Sequence, residues 1–213
     1  MKEYEAVIFD LDGVIISTDE YHYQAWKALA DELGVYFDRT INNRLRGVSR
    51  MESLDIVLER AKKEYTPAEK EAMAEKKNGI YKELLKNMSP KDLSDEVKDT
   101  LDTLRNRGYL LAIGSSSKNA PFILERIGLS GYFDAVSDGN NIQRSKPDPE
   151  VFVKAAEMLS KKNDKCLVVE DAVSGAKAAH AGGMKAACVG DASRAGAGDM
   201  NMDSFKELKN ILV

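Results

Sequence analysis

Asp10 and Asp12 stand two residues apart at the end of the apolar run Ala6-Val7-Ile8-Phe9, in the stretch Asp10-Leu11-Asp12-Gly13-Val14. On an extended backbone such residues point to the same side, so both carboxylates face one volume. At about 4 Å, two such charges repel by roughly 4 kcal/mol at an effective dielectric near 20. The pair implies a bound cation, a shared proton, or both. For an isolated D-x-D, an acidic turn capping the next element is the plainer reading. A calcium loop fails on spacing: Gly13 falls two places short of the turn position, and Tyr21 stands where a bidentate carboxylate is needed.

Three more segments carry groups suited to phosphate chemistry. Ser115-Ser116-Ser117-Lys118-Asn119 offers hydroxyls, an amide and backbone N–H groups at a helix start, although such turns commonly serve only as caps. Lys146 lies in Ser145-Lys146-Pro147-Asp148-Pro149, where a stiff loop can fix an ammonium beside an acidic site. Glu170-Asp171 finishes the buried-looking run Cys166-Leu167-Val168-Val169, and a helix N-cap explains Asp171 as well as a metal ligand does. Together these groups are the inventory for Mg²⁺-assisted phosphoryl transfer to an aspartate.

Five short runs read as the parallel strands that position them: Ala6 to Phe9, Tyr109 to Ile113, Asp134 to Ser137, Lys165 to Val169 and Lys185 to Val189. Between them run helical patterns, with Gly108, Gly128 and Gly182 where stops belong. Asp148 can cap a helix that begins with Pro149 in its first turn and shows one face of Phe152, Ala155, Ala156 and Leu159. Alternation of this kind implies an α/β fold with a doubly wound parallel sheet. Only helical stretches follow the first strand from about Thr18 to Met88. They include Ala25, Trp26, Leu29 and Leu33 on one stripe, and a capping box at Thr66-Pro67-Ala68-Glu69. The expectation is a catalytic core of residues 1–16 and 91–213, with an all-helical cap domain of residues 17–90 as a lid.

A length of 213 residues allows one sizeable core with a smaller appended domain. A net charge of −4 and a pI near 5.4 argue against nucleic acid or an anionic membrane as partner. No apolar run approaches a membrane span, and no signal peptide is evident. Cys166 and Cys188 lack metal or redox spacing and read as reduced core residues of a cytoplasmic protein, expected to be a monomer.

Taken in order, the Asp10–Val14, Ser115, Lys146 and Glu170-Asp171 segments resemble the four motifs of the haloacid dehalogenase superfamily of phosphotransferases. Thr18, Glu20-Tyr21-His22, Ala25-Trp26, Leu45 to Arg50, Lys77-Asn78 and Ser117-Lys118-Asn119 are similar to its β-phosphoglucomutase subgroup. The resemblance covers nearly the whole chain. It implies a nucleophilic Asp10 and a general acid/base at Asp12. It implies Mg²⁺ held by Asp10, Glu170, Asp171 and the backbone carbonyl of Asp12, with Ser115 and Lys146 on the transferring phosphate. It further implies a grip by Arg50, Ser117 and Asn119 on the second phosphate of β-glucose 1,6-bisphosphate. Sugar and phosphate contacts would fall to Trp26, Leu45, Gly47, Ser53, Lys77 and Ser116, a hinge role to His22, and a place among the catalytic residues to Thr18, His22 and Lys146. Without the resemblance, Trp26 reads as core, Lys77 as one charge on a solvated face, and His180 as structural. Ser17, Ser116 and Leu93-Ser94-Asp95 depart from the subgroup's usual residues, and none removes a catalytic group.

The implied activity is interconversion of β-D-glucose 1-phosphate and D-glucose 6-phosphate, with small-molecule sugar phosphates as partners. The alternative is a Mg²⁺-dependent sugar-phosphate phosphatase, which has less need of a distal phosphate clamp at Arg50. A receiver-type binding module is disfavoured by the helical insertion, and dinucleotide binding by the lack of a G-x-G-x-x-G after a strand.

Overall fold

Ala6, Val7, Ile8 and Phe9 are fully buried, as a strand covered on both faces must be. In a computed structural model, which describes residues 2–46 and 48–213, they form β1 (Ala6–Phe9). Among the described residues, the helices α1 (Asp19–Glu32), α2 (Arg39–Asn43), α3 (Arg50–Leu58) and α4 (Pro67–Leu85) follow. It returns through α5 (Asp95–Asn106) and alternates thereafter: β2 (Leu110–Gly114), α6 (Ala120–Arg126), β3 (Ala135–Ser137), α7 (Glu150–Met158), β4 (Cys166–Glu170), α8 (Val173–Ala181) and β5 (Lys185–Cys188). The last elements are α9 (Gly190–Arg194), β6 (Met200–Asn201) and α10 (Leu208–Ile211). Two compact units result: Thr18–Met88, and the segment through Ser17 joined to Ser89–Val213.

The discontinuous unit is a doubly wound α/β layer. Its sheet is parallel, in the order β3-β2-β1-β4-β5-β6. Phe9 pairs with Ile113 on one side and with Val169 on the other, so the ends of β1, β2 and β4 are level. Strand order reverses beside β1, which makes this edge the topological switch point where such sheets bind ligands. α7 buries Val151, Phe152, Ala155 and Ala156 in a core that includes Ile8, Ala112 and Val168.

Several details differ from the sequence reading. β6 went unread because two residues show no period. Asp134 lies outside β3, where its carboxylate accepts the Leu111 amide at 2.8 Å. Pro149 occupies the N-cap position of α7, while Asp148 accepts the Glu150 amide at 3.0 Å. Gly182 is the C-cap of α8, as read, with the left-handed residue following at Gly183 (φ 72°). Ser94 caps α5 by accepting from the Val97 amide at 3.2 Å, which gives Leu93-Ser94-Asp95 a local purpose.

Among its described residues, the Thr18–Met88 unit contains helices and connecting turns but no strand. Capping boxes start α3 at Ser49/Glu52 and α4 at Thr66/Glu69, the latter with Pro67 in the first turn. Trp26, Leu29, Ala30, Phe37, Ile41, Leu45, Leu54, Val57 and Ala74 form its core. Among the described residues, no helix is long and apolar enough to cross a membrane.

Candidate active site

The side chain of Lys146 ends between two carboxylates at the level edge of the sheet. Its Nζ donates to Oδ1 of Asp10 and, at 2.5 Å, to Oε1 of Glu170, and all three side chains are buried. The Phe152 ring lies beneath the ammonium, 4.6 Å from Nζ to its centroid. The loop that carries Lys146 is tied down by Glu150, whose Oε2 accepts the amides of Gln143 at 3.0 Å and Arg144 at 2.8 Å. Lys154 and the Arg144 amide hold the Glu150 carboxyl down at about 2, so this brace stays charged at neutral pH. The sequence reading missed Glu150. Its only signal was an acidic residue in the first turn after Pro149.

Glu170 is fixed at its second oxygen as well: Oε2 accepts the Ala172 amide at 2.8 Å. Ala172, not Asp171, is the N-cap residue of α8, so the capping explanation of Asp171 does not hold. The Asp171 carbonyl instead accepts from Ala192 at 2.7 Å. Its carboxylate lies against the backbone of Gly13, a left-handed residue (φ 90°) where any Cβ would collide with it. Asp12 sits in the same turn, bridged to Ile16, with the Gly13 amide donating to the Ile16 carbonyl at 2.8 Å.

Charge is unbalanced at this edge. Burial pushes the Asp10 carboxyl well above the usual carboxylate range. Lys146 draws it back, while Glu170, Asp12 and Asp171 raise it further. Burial opposes the Lys146 charge, but Asp10 and Glu170 outweigh it and hold the ammonium above its ordinary value. Where carboxylates crowd around an ammonium, a shared proton or a bound cation would relieve their repulsion. The donors here are hard oxygens, which suit Mg²⁺. Among the described residues no three His, Cys, Asp or Glu side chains form a ready cage, and the Lys146 ammonium bonds both Asp10 and Glu170. The fit to Mg²⁺ therefore rests on donor chemistry and excess charge.

One strand over, Ser115 follows β2 and is buried. Its Oγ accepts the Ser117 amide at 3.1 Å, and Ser117 Oγ accepts the Asn119 amide at 3.2 Å. The loop is braced from the far side, where Gly139 donates to the Ser117 carbonyl at 3.2 Å and Asn140 Nδ2 to the Lys118 carbonyl at 3.0 Å. Ser116 Oγ is buried without a hydrogen-bond partner. A lone buried hydroxyl is costly.

The helical unit gathers a second set of the anticipated residues. Lys77 is buried rather than solvated, with Nζ 2.8 Å from His22 Nδ1 and 4.6 and 4.7 Å from the ring centroids of Trp26 and Tyr81. An ammonium only donates, so the His22 ring proton lies on Nε2. Burial, then Lys77 and Arg50, hold His22 well below its ordinary pKa, and its ring stacks on Tyr81 at 4.1 Å. Arg50 donates from Nη2 to Asn78 Oδ1 at 3.1 Å, and Glu75 lies 3.6 Å away. Burial works against the Arg50 charge more than Glu75 supports it. Trp26, Leu45 and Ser53 are buried, the first two within the apolar core. Thr18 is buried and its carbonyl accepts the His22 amide at 3.0 Å. Gly47 lies outside the described residues. His180 joins Asp199 at 2.9 Å in a surface cluster with Lys185.

The profile of the haloacid dehalogenase-like hydrolase family matches residues 4–183. The chain is 42% identical over 188 residues to a β-phosphoglucomutase of Bacillus subtilis, covering 87% of this chain and 83% of that one. It is 30% identical over 184 residues to a phosphorylated carbohydrates phosphatase of Thermotoga maritima, covering 85% and 82%. A crystal structure of β-phosphoglucomutase from Clostridium difficile superposes with a TM-score of 0.89 at 36% identity, covering 96% of this chain and 93% of that one.

Proposed function

The chain belongs to the haloacid dehalogenase-like hydrolase family, and on that premise we propose that it interconverts β-D-glucose 1-phosphate and D-glucose 6-phosphate. The reaction runs through β-glucose 1,6-bisphosphate and an aspartyl-phosphate on Asp10. The observation that carries this reading is the buried Lys146 ammonium shared by Asp10 and Glu170 at the switch point of the sheet.

A carboxylate attacks an anionic phosphate only where negative charge is offset. Lys146 and Ser115 would hold the transferring phosphoryl oxygens while an Asp10 oxygen bonds to phosphorus and the bond to the sugar oxygen breaks. Asp12 gives its proton to that leaving oxygen, and takes one back from the other hydroxyl as that oxygen bonds to phosphorus and the Asp10–phosphorus bond breaks. Held by Asp10, Glu170, Asp171 and the Asp12 carbonyl, Mg²⁺ would screen the phosphate and polarise it. Arg50, Ser117 and Asn119 would hold the second phosphate. Trp26, Leu45, Gly47, Ser53 and Lys77 serve the sugar, Ser116 adds a hydroxyl to the phosphate loop, Thr18 stands with the catalytic residues, and His22 serves the hinge. Uncatalysed monoester cleavage is slow enough that acceleration can reach ~10²¹-fold, so most of the effect must come from such electrostatic positioning.

A sugar-phosphate phosphatase would use the same core, and the likeness to the Thermotoga maritima phosphatase supports keeping that reading in view. Arg50 favours the mutase, because a half-buried guanidinium with weak carboxylate support suits a second anionic group. Phosphorus NMR decides. With Mg²⁺ and a trace of bisphosphate, β-glucose 1-phosphate should become glucose 6-phosphate without net phosphate release. Stoichiometric free phosphate and no isomer would establish the phosphatase. A folded Asp10→Asn variant with parental turnover would remove the nucleophile assignment altogether.

A further inference from the structure

We propose that Gly175 is a positioning residue of this site: its missing side chain leaves the space in which the Glu170 carboxylate reaches Lys146. The proposal deepens the functional reading above and rests on it for its catalytic consequence.

Gly175 is buried in the first turn of α8, and left-handed geometry does not account for it, since its φ lies outside that region. A Cβ built there would stand no more than 2.5 Å from Cδ, Oε1 and Oε2 of Glu170 alike. That separation is deep overlap, and it falls on a whole carboxylate instead of the end of a mobile chain. The carboxylate has little freedom to yield. Oε1 is engaged by Lys146 at 2.5 Å and Oε2 by the Ala172 amide at 2.8 Å, so moving aside breaks one bond or both. Alanine is the better helix former, and a glycine serving only α8 would gain from replacement. Gly175 therefore acts through Glu170 on Lys146, and through Lys146 on Asp10.

Thermal unfolding of four proteins tests the coupling without reference to any substrate: the parent, Gly175→Ala, Glu170→Ala and the double variant. Gly175→Ala alone should lower Tm by about 5 °C. In the Glu170→Ala background the same change should be silent or raise Tm, because the space is then empty. An equal loss in both backgrounds would overturn the proposal, as would a Gly175→Ala protein with unchanged Tm. If the single variant fails to fold, a folded double variant supports the proposal and an unfolded one defeats it. Calorimetric titration with Mg²⁺ adds a second readout, in which Gly175→Ala should bind at least tenfold more weakly and parental affinity would contradict the link to the site. Should the protein turn out not to act on sugar phosphates, the Tm coupling between the two positions would still stand or fall by itself.

Discussion

Asp10 and Glu170 stand level on neighbouring strands and share one cation, the Lys146 ammonium, which donates to Oδ1 of the first and Oε1 of the second. Each carboxylate would otherwise face the other inside the sheet edge.

Lys146→Met should therefore damage both stability and activity. Breaking a buried ion pair from one side costs about 3–5 kcal/mol, because a charge is left uncompensated. Loss of a donor to the transferring phosphate should lower kcat by about 10²–10³-fold. Lys146→Arg should rescue little, since a planar fork cannot occupy a site shaped for a compact ammonium. Denaturant melts and steady-state rates check both parts, and a Met variant as stable as the parent would show that the carboxylates do not need this cation.

Ser116→Ala should separate stability from binding. The hydroxyl is buried without a partner, so its removal should raise the stability of the ligand-free protein by about 1 kcal/mol. If the hydroxyl serves the phosphate loop, affinity for inorganic phosphate should fall by about the same amount, roughly fivefold. Thermal shift with and without phosphate measures both, and equal affinity in the two proteins would leave the hydroxyl without a ligand.

Arg50→Ala should weaken use of the bisphosphate far more than hydrolysis of a small aryl phosphate, which has no second phosphate to hold. Comparison of kcat/KM for the two substrates checks this. Equal losses would refute the clamp.

His22 sets a pH dependence of known sign. Its pKa in the folded unit lies well below the ordinary 6.5, held there by burial and by Lys77 and Arg50. Below that ordinary value the unfolded chain binds the proton that the folded state refuses, so this contribution to stability is complete above 6.5 and is lost as pH falls. Melts from pH 7.5 downward should show the fall, and His22→Gln should flatten its share of it. Parallel curves for parent and variant would show that His22 titrates freely.

Alternation of apolar strand runs with capped helices made the doubly wound sheet legible from the chain alone, because burial on both faces forces a continuous apolar stretch in each strand. Asp10, Lys146 and Glu170 were legible for a related reason: a charge at the end of such a run, or pinned beside a proline, stands out against its surroundings. Glu150, Asn140 and Gly175 were not. A surface-type acid, a loop amide and a helical glycine are ordinary residues until the fold brings them against a loop or a carboxylate.

Lys77 shows the same boundary from the other side. In the linear chain it is one charge in a long charged helix, and only packing against α1 puts its ammonium on His22 Nδ1, between Trp26 and Tyr81. Backbone hydrogen bonding and side-chain transfer free energies act locally, which made β1 to β5 and the charges ending β1 and β4 readable in the chain, while the two-residue β6 was not. Tertiary structure alone decided that one lysine would serve two carboxylates 136 and 24 residues away, because that choice belongs to strand order, register and the room left by a missing Cβ.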